Sequence, residues 1–384
     1  MKRKKIIIVY QYFGTSESKW STRWFDFTQH FINEGYEVTV ITSNFIRSDI
    51  KKSIFFKSIM IDNVKVKLFP FGDGNNFSVF RRVVNSFFFL LSTIVYLIFV
   101  KADNYIFSSG PITAALPLIF KRKRNTILEI RDLWPDGGFE MKKIPRVFSK
   151  PLFFIQKKLY ESAGKIITCS PSQRKYILNN YPQLLNKIHT IEHGIDFRIL
   201  DFSLSYNQNE SEHKNKYWTV VGTFGFIHNP YKWLELAQNL IKLDQNIKIV
   251  LIGSGPLFND IKSKIYLNKI NNIILTGQLS KDELSKWISK SEFCLFTTLN
   301  NIIQQTSAPN KIYDYLVFKK PILIDLDMWL LKKYGEIIWK VDFINFNKDD
   351  LVSIRHKKAN LNFNAIDSYI KQLNRSKLAD KYLI

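Results

Sequence analysis

The residues Thr306-Ser307-Ala308-Pro309-Asn310-Lys311 gather more chemistry into one short stretch than any other part of this chain. The amphipathic pattern IYDYLVF that follows predicts a short helix from Lys311 to about Phe318, with a buried strand at Pro321–Ile324 behind it. The first turn of a helix leaves backbone N–H groups unpaired and concentrates a partial positive charge, and together these hold an anion such as a phosphate. Lys311 adds a full charge at that place. Asp314, one turn on, shares its face and is suited to accept hydrogen bonds from a ribose. A nucleotide-diphosphate cradle and an ordinary capped helix with an i,i+3 ion pair are both consistent with these residues.

Such a loop does chemistry only where a sheet positions it. In the first half Lys5–Tyr10, Val38–Thr42, Val64–Phe69, Asn104–Phe107, Thr126–Ile130 and Lys165–Cys169 read as strands. Helical patterns intervene at 23–33, 81–100, 111–120, 149–162 and 172–179. A polar, unperiodic segment follows, and a second alternating series begins at Tyr217–Val221. Helices at 232–244, 257–267 and 281–289 separate strands at Ile247–Ile252, Ile273–Leu275, Phe293–Thr297 and Pro321–Ile324. The expected fold class is α/β, two Rossmann-like doubly wound parallel-sheet domains facing across a cleft. The expected divisions are 1–195, a connector at 196–216, 217–362, and a helical tail at 363–384 that packs back on the first domain.

Ligands of doubly wound sheets bind beyond the carboxyl ends of the strands. Gly222-Thr223-Phe224-Gly225, Gly253-Ser254-Gly255, Gly277-Gln278 and the TSAPNK loop each follow a second-half strand, so all four fall on one edge and form a binding rim. None has the GxxxxGK[ST] spacing of a triphosphate-hydrolysing loop. In the first half Gly14, with Ser16 and Ser18, suits either a close approach of backbone to phosphate or a plain flexible loop. Arg131-Asp132 ends a buried strand, where a carboxylate can bind or deprotonate a sugar hydroxyl and Trp134 can stack on a sugar ring. An ion pair bracing the loop is the plain alternative. His189 and His193 flank a strand-like pair rather than a helix, so they do not read as a metal pair, and Asp325-Leu326-Asp327 is the one DxD string. No metal and no cofactor is expected.

Of the 384 residues, 46% are hydrophobic and 15% aromatic, enough for two packed cores. The formal charge is +23, unevenly spread: residues 1–190 hold 30 Lys and Arg against 13 Asp and Glu, the remainder 26 against 20. A basic first half suits an anionic surface. The start MKRKKIIIVY has too short an apolar run for a signal peptide. Val83–Val100 is nearly uncharged and flanked by Arg81, Arg82 and Lys101. Its polar interruptions and its place between αβ units favour a buried or interface-lying helix over a true span. Cys169 and Cys294 lie in apolar strand contexts and read as buried thiols of a reducing compartment.

The order of motifs resembles the retaining glycosyltransferases of family 4, which have the GT-B fold. The matching pieces are GYEVTVITSNF (35–45), SSGPITAAL (108–116), LEIRDLWPDGG (128–138), KIITCSPSQRKYI (165–177), HGIDF (193–197), VGTFG (221–225), VLIGSGP (250–256) and SAPNKIYDYLVFKKPILI (307–324). The RDLWP and PNK..DY versions resemble a bacterial surface-polysaccharide branch that adds N-acetylated or amino-deoxy sugars to lipid-linked acceptors. The resemblance implies a nucleotide-sugar donor held by the second domain and an acceptor received by the first at the membrane. The expected enzyme is cytoplasmic and peripheral on the inner face of the plasma membrane. It implies donor contacts at Gly14, Gly222, Thr223, Lys232, Gly253, Gly255, Gln278, Thr306, Pro309, Asn310, Lys311 and Asp314. It also implies acceptor contacts at Ser109 and Trp134 and catalytic roles for Arg131 and Asp132. In the family's Glu-x7-Glu motif the second Glu corresponds to Asp314 and the first to Thr306, which carries no charge. That departure shifts weight to the amides around Ala308–Lys311. Lys232 and Lys311 are the candidates for the basic pair on the diphosphate.

Two other classes fit parts of the sequence. A nucleotide-sugar epimerase-like enzyme would share the fold, and a non-catalytic or nucleic-acid-binding basic protein would explain the charge. The chain lacks an RNA-recognition signature, and its positive charge is spread around helices rather than along one reading element, so nucleic acid is not an expected partner.

Overall fold

Short β-branched runs alternating with amphipathic helices build two parallel sheets, as the patterning requires. The structure, a computed structural model, describes residues 3–15, 22–43, 56–71, 79–121, 123–196, 199 and 216–383. Ser16, Ser18 and most of the connector read at 196–216 lie outside the described residues. The chain divides into two compact units, Met1–His193 with Thr306–Ala308 and Arg375–Ile384, and Gly194–Gln305 with Pro309–Asn374.

The first unit runs β1 (Lys5–Val9), α1 (Arg23–Asn33), β2 (Glu37–Ser43), β3 (Lys57–Ile61), β4 (Val64–Phe69), α2 (Val79–Phe99), β5 (Asn104–Ser108) and β6 (Thr126–Ile130). It continues with α3 (Asp136–Glu140), α4 (Ser149–Ser162), β7 (Lys165–Thr168), α5 (Pro171–Asn180) and β8 (Ile188–Thr190). Its sheet has the order β3-β4-β2-β1-β5-β6-β7-β8. Every pairing is parallel except β3 with β4, an edge hairpin turned at Asp62-Asn63, both with positive φ. The sequence reading missed β3. The helix read at 111–120 is instead two 3-10 turns, Ile112–Ala114 and Leu116–Phe120. Pro111 and Pro117 account for the correction: each suits the first residues of a short turn and disrupts a continuous helix.

The second unit runs β9 (Lys216–Val221), α6 (Tyr231–Leu243), β10 (Ile247–Ile252), α7 (Phe258–Leu267), β11 (Ile273–Gly277), α8 (Lys281–Ser289) and β12 (Ser291–Phe296). Next come α9 (Ile302–Thr306), α10 (Asn310–Val317), β13 (Ile322–Ile324), α11 (Trp329–Lys333), β14 (Ile338–Lys340), α12 (Lys348–Ala359) and α13 (Phe363–Gln372). Its all-parallel sheet has the order β11-β10-β9-β12-β13-β14, so the winding reverses between β9 and β12. Ile249, Leu251, Val220 and Leu295 fill one face with Trp218 and Trp233, while Cys294, Phe296, Ile322 and Ile324 pack on the other against α10.

The helical tail is two helices rather than one. After α13, Asn374 pairs with Ile195, and α14 (Arg375–Leu383) belongs to the first unit. There Tyr382 packs edge-on to Trp24 and Phe27, each at 5.4 Å between ring centres, and Arg375 pairs with Asp26. Beneath it lies Glu129, fully buried. Its carboxylate pairs with Arg23 and accepts from Trp24 Nε1 at 2.8 Å, Ser108 Oγ at 2.6 Å and the Tyr382 hydroxyl at 2.8 Å. Removing one partner of such a buried ion pair typically costs about 3–5 kcal/mol, so this cluster ties the tail to β6 and α1.

Candidate functional site

The winding reverses between β9 and β12, and the loops after both strands lie at the carboxyl edge, the usual ligand position in such sheets. Gly222 follows β9 at once. A Cβ there would overlap the Lys311 ammonium, so only glycine allows that approach. The Lys311 side chain crosses the Phe296 ring with its Nζ 5.3 Å from the ring centre. Helix α10 is pinned to β9 by the Val221 N–H, which donates to the Tyr315 hydroxyl at 2.8 Å. That bond fixes where the helix start, and Lys311 with it, must lie.

The glycines behind this contact are held by backbone. Gly253 has φ +139, and a Cβ on it would meet the Gly222 carbonyl, while one on Gly255 would meet the Phe224 backbone. The Phe224 N–H donates to the Ser254 carbonyl at 3.1 Å, which joins the two glycine loops. Thr223 is exposed beside them, and Gln278 is exposed after β11. Pro309 caps α10 without offering a donor, and Asn310 opens it with a buried Oδ1 that has no hydrogen-bond partner. Thr306 is buried, and its carbonyl accepts from Ser170 Oγ at 2.5 Å. Gly14 is buried in the loop after β1, in the other unit.

Burial lowers the Lys311 pKa to about 8, with Asp314 partly opposing the shift. The side chain as a whole is half-buried. The protein therefore holds an ammonium where shielding from water disfavours its charge, an arrangement suited to an anion that restores it. Lys232 is not a second cation at this point. Its Nζ pairs with Asp325 at 2.5 Å, and the Asp325 side chain is only 2% exposed. In the empty protein a nearly buried carboxylate thus already compensates Lys232, the expected partner of Lys311. Asp327 is likewise held by Lys340 at 2.7 Å, so both carboxylates of the DxD string are engaged by lysines.

In the first unit, Arg131 turns away from the plain alternative of an ion pair with Asp132. Its guanidinium donates to the Tyr10 hydroxyl at 2.5 Å and lies 5.2 Å from the Tyr10 ring centre. Its N–H donates to Ser109 Oγ at 3.1 Å, and its carbonyl accepts from Gln173 at 2.9 Å. Asp132 is exposed and Trp134 half-buried, and together with Ser109, Ile130 and Tyr160 they line a small cavity at the carboxyl edge of β5 and β6. Arg131 thus braces the loop while Asp132 and Trp134 remain accessible. His189 is exposed on β8 and His193 is buried, so they share no face. Asp196 of the HGID string pairs with Lys281. Cys169 and Cys294 are both free and buried.

Sequence reasoning overlooked His228. It lies six residues past Gly222, at the end of the turn Phe226–His228, in a GFIHNP string that carries no recognisable motif. Its imidazole feels the Lys311 charge.

No family model matches the sequence. The chain is 31% identical over 134 residues to an uncharacterized glycosyltransferase of Methanocaldococcus jannaschii, a match covering 34% of this chain and 33% of that protein. The chain thus spans about a third of the length of the curated relative it matches. Solved structures align over nearly its whole length. Sucrose-phosphate synthase from Thermosynechococcus elongatus has a TM-score of 0.72 at 12% identity, covering 99% of this chain and 97% of that one. WaaG, a glycosyltransferase involved in lipopolysaccharide biosynthesis, gives 0.66 at 11% and covers 98% of each. HepE from Anabaena, solved with UDP and glucose, gives 0.65 at 9%, covering 99% of this chain and 98% of that one. These likenesses, at low identity, establish the fold: two parallel-sheet α/β domains of GT-B type.

The Lys311 environment generates a stability prediction with a definite sign. A lysine whose folded pKa lies below its unfolded value destabilises the fold below the folded pKa, and the penalty fades between that value and the unfolded one. Lys311→Met should therefore raise the melting temperature at pH 7, and the gain should shrink as pH rises from about 8 toward about 10.4. Equal or lower stability of the variant across this range would show that the ammonium is not held at a cost.

Proposed function

We propose that this protein is a retaining, metal-independent glycosyltransferase of family 4 that moves a hexosyl or N-acetylhexosaminyl group from a nucleotide diphosphate-sugar to a lipid-linked or glycan acceptor. The setting we propose is the synthesis of a bacterial surface polysaccharide such as capsule or lipopolysaccharide. One observation carries the reading. The Lys311 ammonium rests against Gly222 at the β9/β12 switch, beside the amide-bearing start of α10. A diphosphate seated there meets a full positive charge and several backbone donors at once. As the sugar leaves, charge accumulates on the diphosphate, and preorganised donors stabilise it without reorganising. The similar protein from Anabaena was solved with UDP, and a neighbour from E. coli was solved with UDP-2-fluoro glucose, which supports a nucleotide-sugar as donor.

In this reading Asp314 accepts hydrogen bonds from the ribose, and Gln278 lies on the exposed loop where a base would be read. Gly253 and Gly255 keep the neighbouring loop low. Thr306 contributes backbone rather than charge. Asp132 orients the acceptor hydroxyl, Trp134 stacks on the acceptor sugar, and Ser109 and Arg131 set the shape of that loop.

A lipid-linked acceptor calls for a membrane surface, and α2 has the form for one. Phe89, Thr93 and Leu97 bury one stripe of the helix, with the Phe69 ring packed at a tilt against Phe89. The opposite stripe exposes Val83 (62%), Phe87 (52%), Val95 (55%) and Ile98 (67%). Arg81–Phe99 is long and apolar enough to cross a bilayer, yet its buried stripe belongs to the first unit, so a helix lying in the interface accounts better for both faces. Each such side chain contributes roughly 1.5–3 kcal/mol when fully buried. Exposed Arg81, Arg82 and Lys101 add about 1 kcal/mol each at an anionic surface.

Incubation with UDP-, GDP- and dTDP-sugars and polyprenyl-linked acceptors should release nucleoside diphosphate and give a product of unchanged anomeric configuration. Lys311→Ala should lower kcat by about 10²–10³. No release and no nucleotide binding across the panel would sink the assignment. Independently, Ser at positions 83, 87, 95 and 98 together should abolish co-sedimentation with phosphatidylglycerol vesicles while leaving donor binding intact. Undiminished co-sedimentation would remove α2 from the membrane contact.

A further inference from the structure

His228 closes the 3-10 turn after the Gly222 loop, and Asn229, at φ 41, turns the chain into α6. That turn is tied to the end of β12: the Ile227 carbonyl accepts from Thr298 Oγ at 2.8 Å and from the Leu299 N–H at 2.7 Å. The Thr297 backbone lies close enough to act on the imidazole, whose Nδ1 is buried without a hydrogen-bond partner among the described residues. A neutral ring has one unprotonated nitrogen, and Nδ1 is the one that meets no donor or acceptor among the described residues. Two more buried polar atoms without partners belong to the same edge, Thr297 Oγ1 after β12 and Asn310 Oδ1 at the start of α10. Buried polar atoms are rarely left unsatisfied, and these three, with His228 beside Lys311 and the others on the loops flanking it, suit a polar ligand.

The electrostatics are one-sided. Among the described residues, Lys311 from α10 is the charged group acting on the imidazole, and β12 brings only Phe296 and Thr297. On α6, Lys232 is compensated by Asp325, and Asp314 stands near Lys311. Burial first, and then Lys311, press the His228 pKa down to about 3. A diphosphate reverses the sign of that field.

We infer that His228 is the second cation of the diphosphate cradle, neutral while the site is empty and protonated at Nδ1 from solvent when a nucleotide diphosphate-sugar seats its phosphates against Lys311. The inference rests on the donor reading above and deepens it, supplying the partner that Lys232, held by Asp325, does not provide. His228 is a binding residue whose charge appears only with the ligand, so donor binding takes up a proton and tightens as pH falls.

Calorimetric titration at pH 6.5, in two buffers of different ionisation heat, tests this with a panel of UDP-, GDP- and dTDP-sugars. The phosphates of these diesters do not titrate there, and Lys311 is already protonated, so proton uptake reports His228. The wild type should take up close to one proton per bound donor. His228→Gln should bind about tenfold or more weakly and take up almost none, and the matching nucleosides, lacking phosphate, should induce none. NMR of 13C-labelled histidine should show the signal lost in His228→Gln moving to its protonated position on donor addition. Donor binding without proton uptake, or uptake unchanged in His228→Gln, overturns the inference and leaves the donor site standing. Failure of the whole panel to bind overturns the donor reading and this inference with it.

Discussion

A lysine ammonium pressed onto a glycine at a sheet's switch point is the constraint from which the rest of the second unit follows. Because the winding reverses between β9 and β12, the loops after these strands meet at the edge where ligands of such sheets bind. Gly222 has to be glycine for Lys311 to reach that position, and Gly253 and Gly255 have to be glycines for the neighbouring loop to pack beneath it. Tyr315 sets the height of α10 on the sheet through Val221. The Phe296 ring and Asp314 offset only part of the cost in the empty protein, where the ammonium is shielded and polar atoms of the flanking loops lack partners. Structures usually tolerate such a cost where binding restores it.

The first unit resolves its buried charge in the opposite way. Glu129 sits deeper than any residue of the proposed donor site, yet its carboxylate is met by Arg23, Trp24, Ser108 and Tyr382. A carboxylate partnered on both oxygens in this way is structural, and it explains why the last helix returns to the first unit. Two residues further along the same strand end, Arg131 is also spent on its neighbours, which leaves Asp132 accessible.

Much of this was legible in the sequence because it is local. Strands such as Ile247–Ile252 are continuous β-branched runs, and the glycines that end them mark the edge where ligands bind. The helix opened by Asn310 and Lys311 was readable from its amphipathic spacing. What escaped depends on pairings between distant residues. Lys232 looked available until the fold brought Asp325 to it from 93 positions away. Glu129 carries no signal within its strand, yet it is the centre of a buried cluster. His228 has no motif around it, and its environment exists only after β12 has been laid beside its turn. The 3-10 turns at 112–120 were misread because apolar composition outweighed the two prolines that interrupt it.

The central claim is that a sugar-bearing diphosphate is gripped at the β9/β12 switch, and a crystal structure of the protein with a tightly bound nucleotide diphosphate-sugar tests it most directly. The account predicts both phosphates within hydrogen-bonding distance of the Lys311 ammonium, the first amides of α10 and the backbone at Gly222, with the ribose toward Asp314. A diphosphate lodged at another edge of the sheet, or a Lys311 side chain swung away from it, would contradict the account.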